Sequence, residues 1–81
     1  MNFEHAAMRG RLAALEEKAA SLRNRGRGLA GSVRSLVNEH LSPLEEMEVA
    51  QAAALMDQLV MAQGELLAAL SEISRLRREL G

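Results

Sequence analysis

The chain of 81 residues contains no cysteine, tryptophan or tyrosine, and Phe3 is its single aromatic residue. The absence of cysteine excludes disulfide bonds, thiolate zinc sites and thiol nucleophiles. The lack of aromatic residues removes the side chains on which single-stranded nucleic acids stack. Proline occurs once, at Pro43, and the 48% of apolar residues are mainly alanine, leucine and methionine, which favour helices. The composition therefore predicts an all-α protein.

Long uncharged apolar runs are also missing. Carboxylates at Glu48, Asp57, Glu65 and Glu72 divide the most apolar stretch, so no uncharged run reaches the roughly 18 residues that a bilayer span requires. Residues 1–12 lack the apolar region of a secretory signal. We therefore expect a cytoplasmic protein that makes no contact with membranes.

The strongest break in the helical pattern is the Ser42-Pro43 pair. Ser42 is suited to cap a helix, Pro43 to occupy the first helical position, and Glu45 to complete a capping box. Proline also disfavours helical geometry in the residue before it. The sequence thus predicts a single domain over residues 1–81, with a first helix over about 3–41, a turn at 42–43 and a second helix over about 43–80.

Both predicted helices carry an apolar heptad repeat. In the first half, the a positions are His5, Leu12, Ala19, Gly26, Val33 and His40, and the d positions are Met8, Leu15, Leu22, Leu29 and Leu36. In the second half, the a positions are Ala52, Leu59, Leu66, Ile73 and Leu80, and the d positions are Leu55, Ala62, Ala69 and Leu76. The repeat passes through the glycine-rich segment 26–31 without a shift, which favours one continuous helix over a break there. The predicted fold is a long antiparallel helical hairpin, resembling a coiled coil, that dimerises into a four-helix bundle.

Charges at the g positions support this hairpin. Folding about Ser42 brings Arg11 near Glu72 and Lys18 near Glu65, so that opposite charges meet along one edge. Exposed ion pairs contribute little to stability. We expect these pairs to select the register of the two helices.

The opposite edge is apolar, and two helices cannot cover it. The predicted oligomer interface comprises Ala30, Val37, Met56, Val60, Leu67 and Leu70, at positions e and b of the heptads. An apolar surface of this width is typical of helices in bundles. An alternative is that the methionines form an adaptable groove for the helix of another protein.

Net charge changes sign along the chain. Residues 1–34 carry seven Lys or Arg against three acids, residues 35–74 carry seven acids and no Lys or Arg, and residues 75–81 carry three Arg against one acid. An antiparallel arrangement of two hairpins would place the acidic corner of one copy near the basic ends of the other. We therefore expect a homodimer, or a higher oligomer, of antiparallel hairpins.

No group of residues suggests an active site, so we expect no enzyme activity and no catalytic, metal or cofactor site. One local feature suits phosphate contact: the arginines Arg23, Arg25, Arg27 and Arg34. The sequence pI of about 6.1 disfavours nucleic acid as a partner, because nucleic-acid-binding domains are usually basic as a whole.

The function expected from the sequence is protein interaction without catalysis. The chain would act as a scaffold, an adaptor or an accessory subunit through self-association. Two alternatives remain: a small nucleic-acid-binding accessory protein that uses the Arg23 to Arg34 segment, and a chaperone-like binder of a partner helix.

Overall fold

The fold is an antiparallel hairpin of two long α-helices. The computed structural model describes residues 2–81, in which helix α1 spans Asn2–Leu36 and helix α2 spans Val49–Leu80, with a short 3-10 helix at Leu44–Glu46 between them. The two helices pack side by side into a rod of 64 × 15 × 15 Å. The predicted all-α helical hairpin is confirmed.

Burial follows the heptad repeat. Every buried residue in the described part of the chain occupies a predicted a or d position; these are Leu15, Ala19, Leu22, Ala52, Ala62, Ala69, Ile73 and Leu76. The largest cluster lies toward the free ends of the helices and joins Leu15 and Ala19 of α1 to Ala69, Ile73 and Leu76 of α2. Alanine at several of these positions lets the two backbones approach closely, so a thin core suffices to hold the hairpin.

The glycine-rich segment 26–31 is helical throughout, as its unshifted heptad phase predicted. Gly26 faces α2, where an added Cβ would lie 3.7 Å from Leu59 Cδ1, an ordinary contact distance. Packing of the flanking leucines offsets the low helix propensity of glycine. The segment is therefore part of the hairpin and not a hinge between two shorter helices.

The first helix ends at Leu36, five residues before the predicted limit at residue 41. Asn38 organises the turn that follows, because its side-chain Oδ1 accepts a hydrogen bond from the backbone N–H of His40 at 2.9 Å. The backbone oxygen of Asn38 also accepts from Leu41 and Ser42. Asparagine competes with the helix in this way through its own side chain, so α1 ends earlier than Pro43 alone predicted.

The second helix begins at Val49 and not at Pro43, so the predicted capping box of Ser42 and Glu45 is wrong. Pro43 is extended (φ −69°, ψ 163°) and precedes only the 3-10 turn, after which Met47 is extended again. Glu48 is the N-terminal cap of α2 and makes no side-chain capping bond. The connection between the helices therefore spans residues 37–48 in place of the predicted two.

By length and composition, α2 is also a candidate membrane span, and 11% of its most apolar window is buried in the hairpin. This differs from the expectation based on interrupting carboxylates. Asp57 lies within the helix, and an aspartate near the bilayer centre costs about 2.5–3.5 kcal/mol. The same apolar character has a second explanation, a surface that contacts another helix.

Candidate interaction surface

The two edges of the hairpin differ in chemistry. One edge is polar and is joined by an ion pair between Arg11 Nε and Glu72 Oε1 at 2.5 Å. The charges at the g positions predicted this pair. Among the described residues, Lys18 forms no ion pair with Glu65 within 4 Å, and its charge lowers the pKa of Glu72. The polar edge therefore has one ion pair between the two helices that agrees with the predicted register.

The carboxyl group of Glu72 has a pKa below its ordinary value. The main cause is the hydrogen bond donated by Arg11, and the positive charges of Arg11, Arg75 and Lys18 act in the same direction. Partial desolvation raises the pKa and opposes them. The net effect favours the charged carboxylate, and hence the ion pair, at neutral pH.

We expect Arg11→Gln to raise the pKa of Glu72 toward its ordinary value, because the variant loses the dominant hydrogen bond. A folded-state pKa that is lowered stabilises the fold above the unfolded-state pKa, and this contribution disappears as pH falls through the folded-state value. The stability difference between wild type and variant should therefore shrink in acid. NMR titration of the side-chain carboxyl carbons measures the pKa, with Arg25→Gln as the control on the same edge. An unchanged Glu72 titration in Arg11→Gln would contradict this account.

On the other edge, near the free ends, an ion pair joins Arg77 of α2 to Glu16 of α1. The Nη2 atom of Arg77 and the Oε1 atom of Glu16 lie 3.1 Å apart. Both residues occupy e positions. This pair was not predicted, because charges were compared only at the g positions. The heptad frame contained the signal, because e positions face each other in an antiparallel hairpin just as g positions do.

Beyond this ion pair, the same edge exposes an apolar stripe along α2. We use the term apolar stripe for Met56, Val60, Leu67 and Leu70, which recur at helical spacing on one side of α2. Side-chain exposure is 43% for Met56, 62% for Val60 and 59% for Leu67. Leu70 is half-buried because it also packs against the core cluster.

The two residues of α1 that were predicted to extend the stripe fit less well. Ala30 is exposed on α1 and contributes only a small side chain. Val37 lies outside α1, one residue after its end, so its predicted heptad position does not apply. The exposed apolar surface is therefore chiefly a property of α2.

A groove of about 550 Å³ opens beside the apolar stripe. Its lining includes Leu22 and Gly26 from α1 and Met56, Leu59 and Val60 from α2. The groove exists because Gly26 occupies an a position, where most residues would project a side chain between the helices. The heptad repeat predicted the position of Gly26 but not the cavity beside it.

The four arginines proposed for phosphate contact are exposed and do not share one face. Arg23, Arg27 and Arg34 recur at helical spacing on the side of the groove, and Arg23 and Arg27 line it. Arg25 occupies a g position on the polar edge. The structure thus brings three of the four residues to one side of α1 and separates the fourth.

No protein-family model, curated protein or solved structure matches the chain. Function must therefore be argued from its surface. Within residues 2–81, no group of three or more His, Cys, Asp or Glu side chains is placed to hold a metal ion. The most distinctive feature is the apolar stripe with its adjoining groove.

The corner of the hairpin combines apolar and acidic residues. Leu41 and Leu44 are largely exposed there, beside the carboxylates of Glu45, Glu46 and Glu48. The opposite end of the rod carries the arginines of the last turns of α2. The two ends of one hairpin are therefore complementary in charge.

Proposed function

We propose that this protein is a self-associating helical hairpin that acts in the cytoplasm, without catalysis, as a scaffold, adaptor or accessory subunit. The observation that carries the proposal is the exposure of Met56, Val60 and Leu67 on one side of α2. Contiguous apolar patches on soluble proteins usually mark interaction sites. Packing two such stripes together would complete a four-helix bundle.

The accessible surface of the single hairpin supports an association of this kind. The chain exposes 6081 Å², whereas a compact monomer of 8.8 kDa is expected to expose roughly 4,800 Å². The excess of roughly 1,300 Å² exceeds the ~800 Å² per partner that a standard protein interface buries. The hairpin therefore has enough spare surface for a stable dimer.

Substitution of Leu67 by glutamate tests this proposal. We expect wild-type protein to sediment as a dimer or tetramer, and Leu67→Glu to weaken self-association at least tenfold, because a carboxylate would have to be buried in an apolar contact. Sedimentation equilibrium measures the affinity, and circular dichroism should show unchanged helix content.

Met61→Glu is the matched control, because Met61 is an exposed apolar residue of α2 (69%, against 59% for Leu67) that lies outside the apolar stripe. It should assemble like wild type. Wild-type protein that remains monomeric at every concentration would refute self-association. An equal loss in both variants would show that the apolar stripe is not the contact.

The alternative of a chaperone-like binder draws support from the groove, where Arg23 and Arg27 border an apolar floor. Such a groove suits an amphipathic helix with acidic flanks. This alternative requires a monomer whose apolar stripe stays open, so the same sedimentation experiment distinguishes it.

Nucleic-acid binding is the weaker alternative. Its support is the shared face of Arg23, Arg27 and Arg34, and the net charge of −1 on the chain opposes it, because nucleic-acid-binding domains are usually basic as a whole. We expect no retention of DNA or RNA in a mobility-shift assay at low salt. A shift that Arg23→Gln with Arg27→Gln abolishes would favour this function instead.

A further inference from the structure

We propose that two copies pair through α2 in antiparallel orientation, about a two-fold axis that passes between Gln63 and Gly64. This inference rests on the proposed self-association and names its partner, a second copy, together with the register of the contact. Two features of the chain point to this axis, the spacing of the apolar stripe and the position of the groove, and the charges at the two ends favour the same antiparallel orientation.

The residues of the apolar stripe are spaced almost symmetrically about its midpoint. Val60 and Leu67 lie at equal distances from the midpoint between Gln63 and Gly64, and Met56 and Leu70 match to within one residue. An isologous dimer requires such self-complementarity, because each contact occurs twice. About this axis Val60 packs against the partner's Leu67, and Met56 packs against the partner's Leu70.

The groove lies where this register needs it. Met56 and Val60 line the groove on α2, and Gly26 leaves it open on the side of α1. The partner's Leu67, which is 59% exposed in the single hairpin, would enter the groove beside Val60. The two-fold axis repeats the arrangement, so each copy fills the cavity of the other.

Gly64 permits a close approach at the axis itself. A Cβ added at Gly64 would meet nothing within 4 Å in its own chain, so packing within the hairpin does not require glycine there. Glycine lets another backbone approach closely because it presents no side chain. A crossing of the two α2 helices at this point gives that glycine a structural role.

Charges at the two ends agree with the same register. About this axis position 48 of one copy lies opposite position 79 of the partner, next to the partner's Arg78 and Arg77, so the acidic corner meets an end that carries three Arg against one acid. A parallel pairing would instead bring the acidic corners of both copies together. Antiparallel pairing therefore satisfies the charges and the apolar spacing at once.

The α1 helices contribute less to this contact. Arg23 and Arg27 of the two copies would face each other near the axis, and like charges repel. Their long side chains can direct the guanidinium groups into solvent while their stems cover apolar surface. The closest contact is thus expected between the two α2 helices.

Single cysteines test the register cleanly, because the chain has no cysteine of its own. Under mild oxidation at a concentration that favours the dimer, we expect Gln63→Cys to form a covalent dimer in high yield, since the two sulfurs flank the axis. Glu45→Cys should stay uncrosslinked, because the two corners lie at opposite ends of the assembly. Disulfides form only when the two Cα atoms come within about 7 Å.

Sedimentation of the same variants under reducing conditions separates the two proposals. A dimer in which Glu45→Cys cross-links, or in which neither variant does, would overturn the register and leave self-association standing. A monomer at all concentrations would overturn both.

Two glycine variants test the crossing point without cysteine. We expect Gly64→Leu to weaken the dimer at least tenfold, because the added side chain holds the helices apart. Gly28→Leu is the matched control, since Gly28 is also an exposed helical glycine with nothing near it. Equal affinities for the two variants would show that Gly64 does not lie at the crossing.

Discussion

Replacement of Leu76 by alanine is expected to lower the free energy of unfolding by about 2–5 kcal/mol, the range seen when a buried leucine is truncated. Leu76 is 3% exposed and packs in the main core cluster with Leu15 and Ile73. Domains of this size have only about 5–15 kcal/mol of stability in total. The loss should therefore lower the urea concentration at the midpoint of unfolding by a large amount. Circular dichroism at low protein concentration measures this midpoint.

Leu67→Ala provides the contrast, because it removes the same atoms from a side chain that is largely exposed in the single hairpin. Its effect on the stability of the isolated hairpin should stay below about 1 kcal/mol, while its self-association weakens. Equal losses of stability for Leu76→Ala and Leu67→Ala, measured where the protein is monomeric, would contradict the described core.

The triple variant Gly10→Ala, Gly28→Ala and Gly31→Ala is expected to stabilise the hairpin by about 1–3 kcal/mol, or about 0.4–1 kcal/mol per site. All three glycines are helical, and an added Cβ meets nothing within 4 Å at any of them. Alanine lowers the entropy of the unfolded chain without strain in the folded one. Thermal unfolding should show Tm higher by about 4–8 °C for each kcal/mol gained.

Gly81→Ala is the control for this prediction, because Gly81 follows α2 with a φ of +137°, which favours glycine. We expect Gly81→Ala to leave Tm unchanged or lower. A triple variant with unchanged Tm would mean that the segment around Gly28 and Gly31 is not helical in solution, contrary to the continuous α1.

The heptad repeat predicted which side chains form the core. Every buried residue had been assigned to an a or d position, and the antiparallel register was correct to the level of the Arg11 to Glu72 ion pair. Prediction succeeded here because helical periodicity is a local property. The a and d positions of each helix form one face, and in a hairpin these two faces pack against each other.

Prediction failed at the corner. Ser42, Pro43 and Glu45 form a strong local signal for a helix start, yet α2 begins only at Val49. The turn is organised by hydrogen bonds to Asn38, and Pro43 and Met47 are extended on either side of the 3-10 helix. The Ser42-Pro43 motif contains no information about these neighbouring residues, so the boundary predicted from it was too early.

The sequence by itself determined that the chain forms two amphipathic helices and which face of each is buried, because spacing along a helix sets the direction of every side chain. Only the tertiary structure decided where the helices end, that Arg77 pairs with Glu16, and that Gly26 leaves a groove beside Val60. These features depend on the distance and rotation between the two helices, which are set by packing and are not encoded in the periodicity of either helix alone.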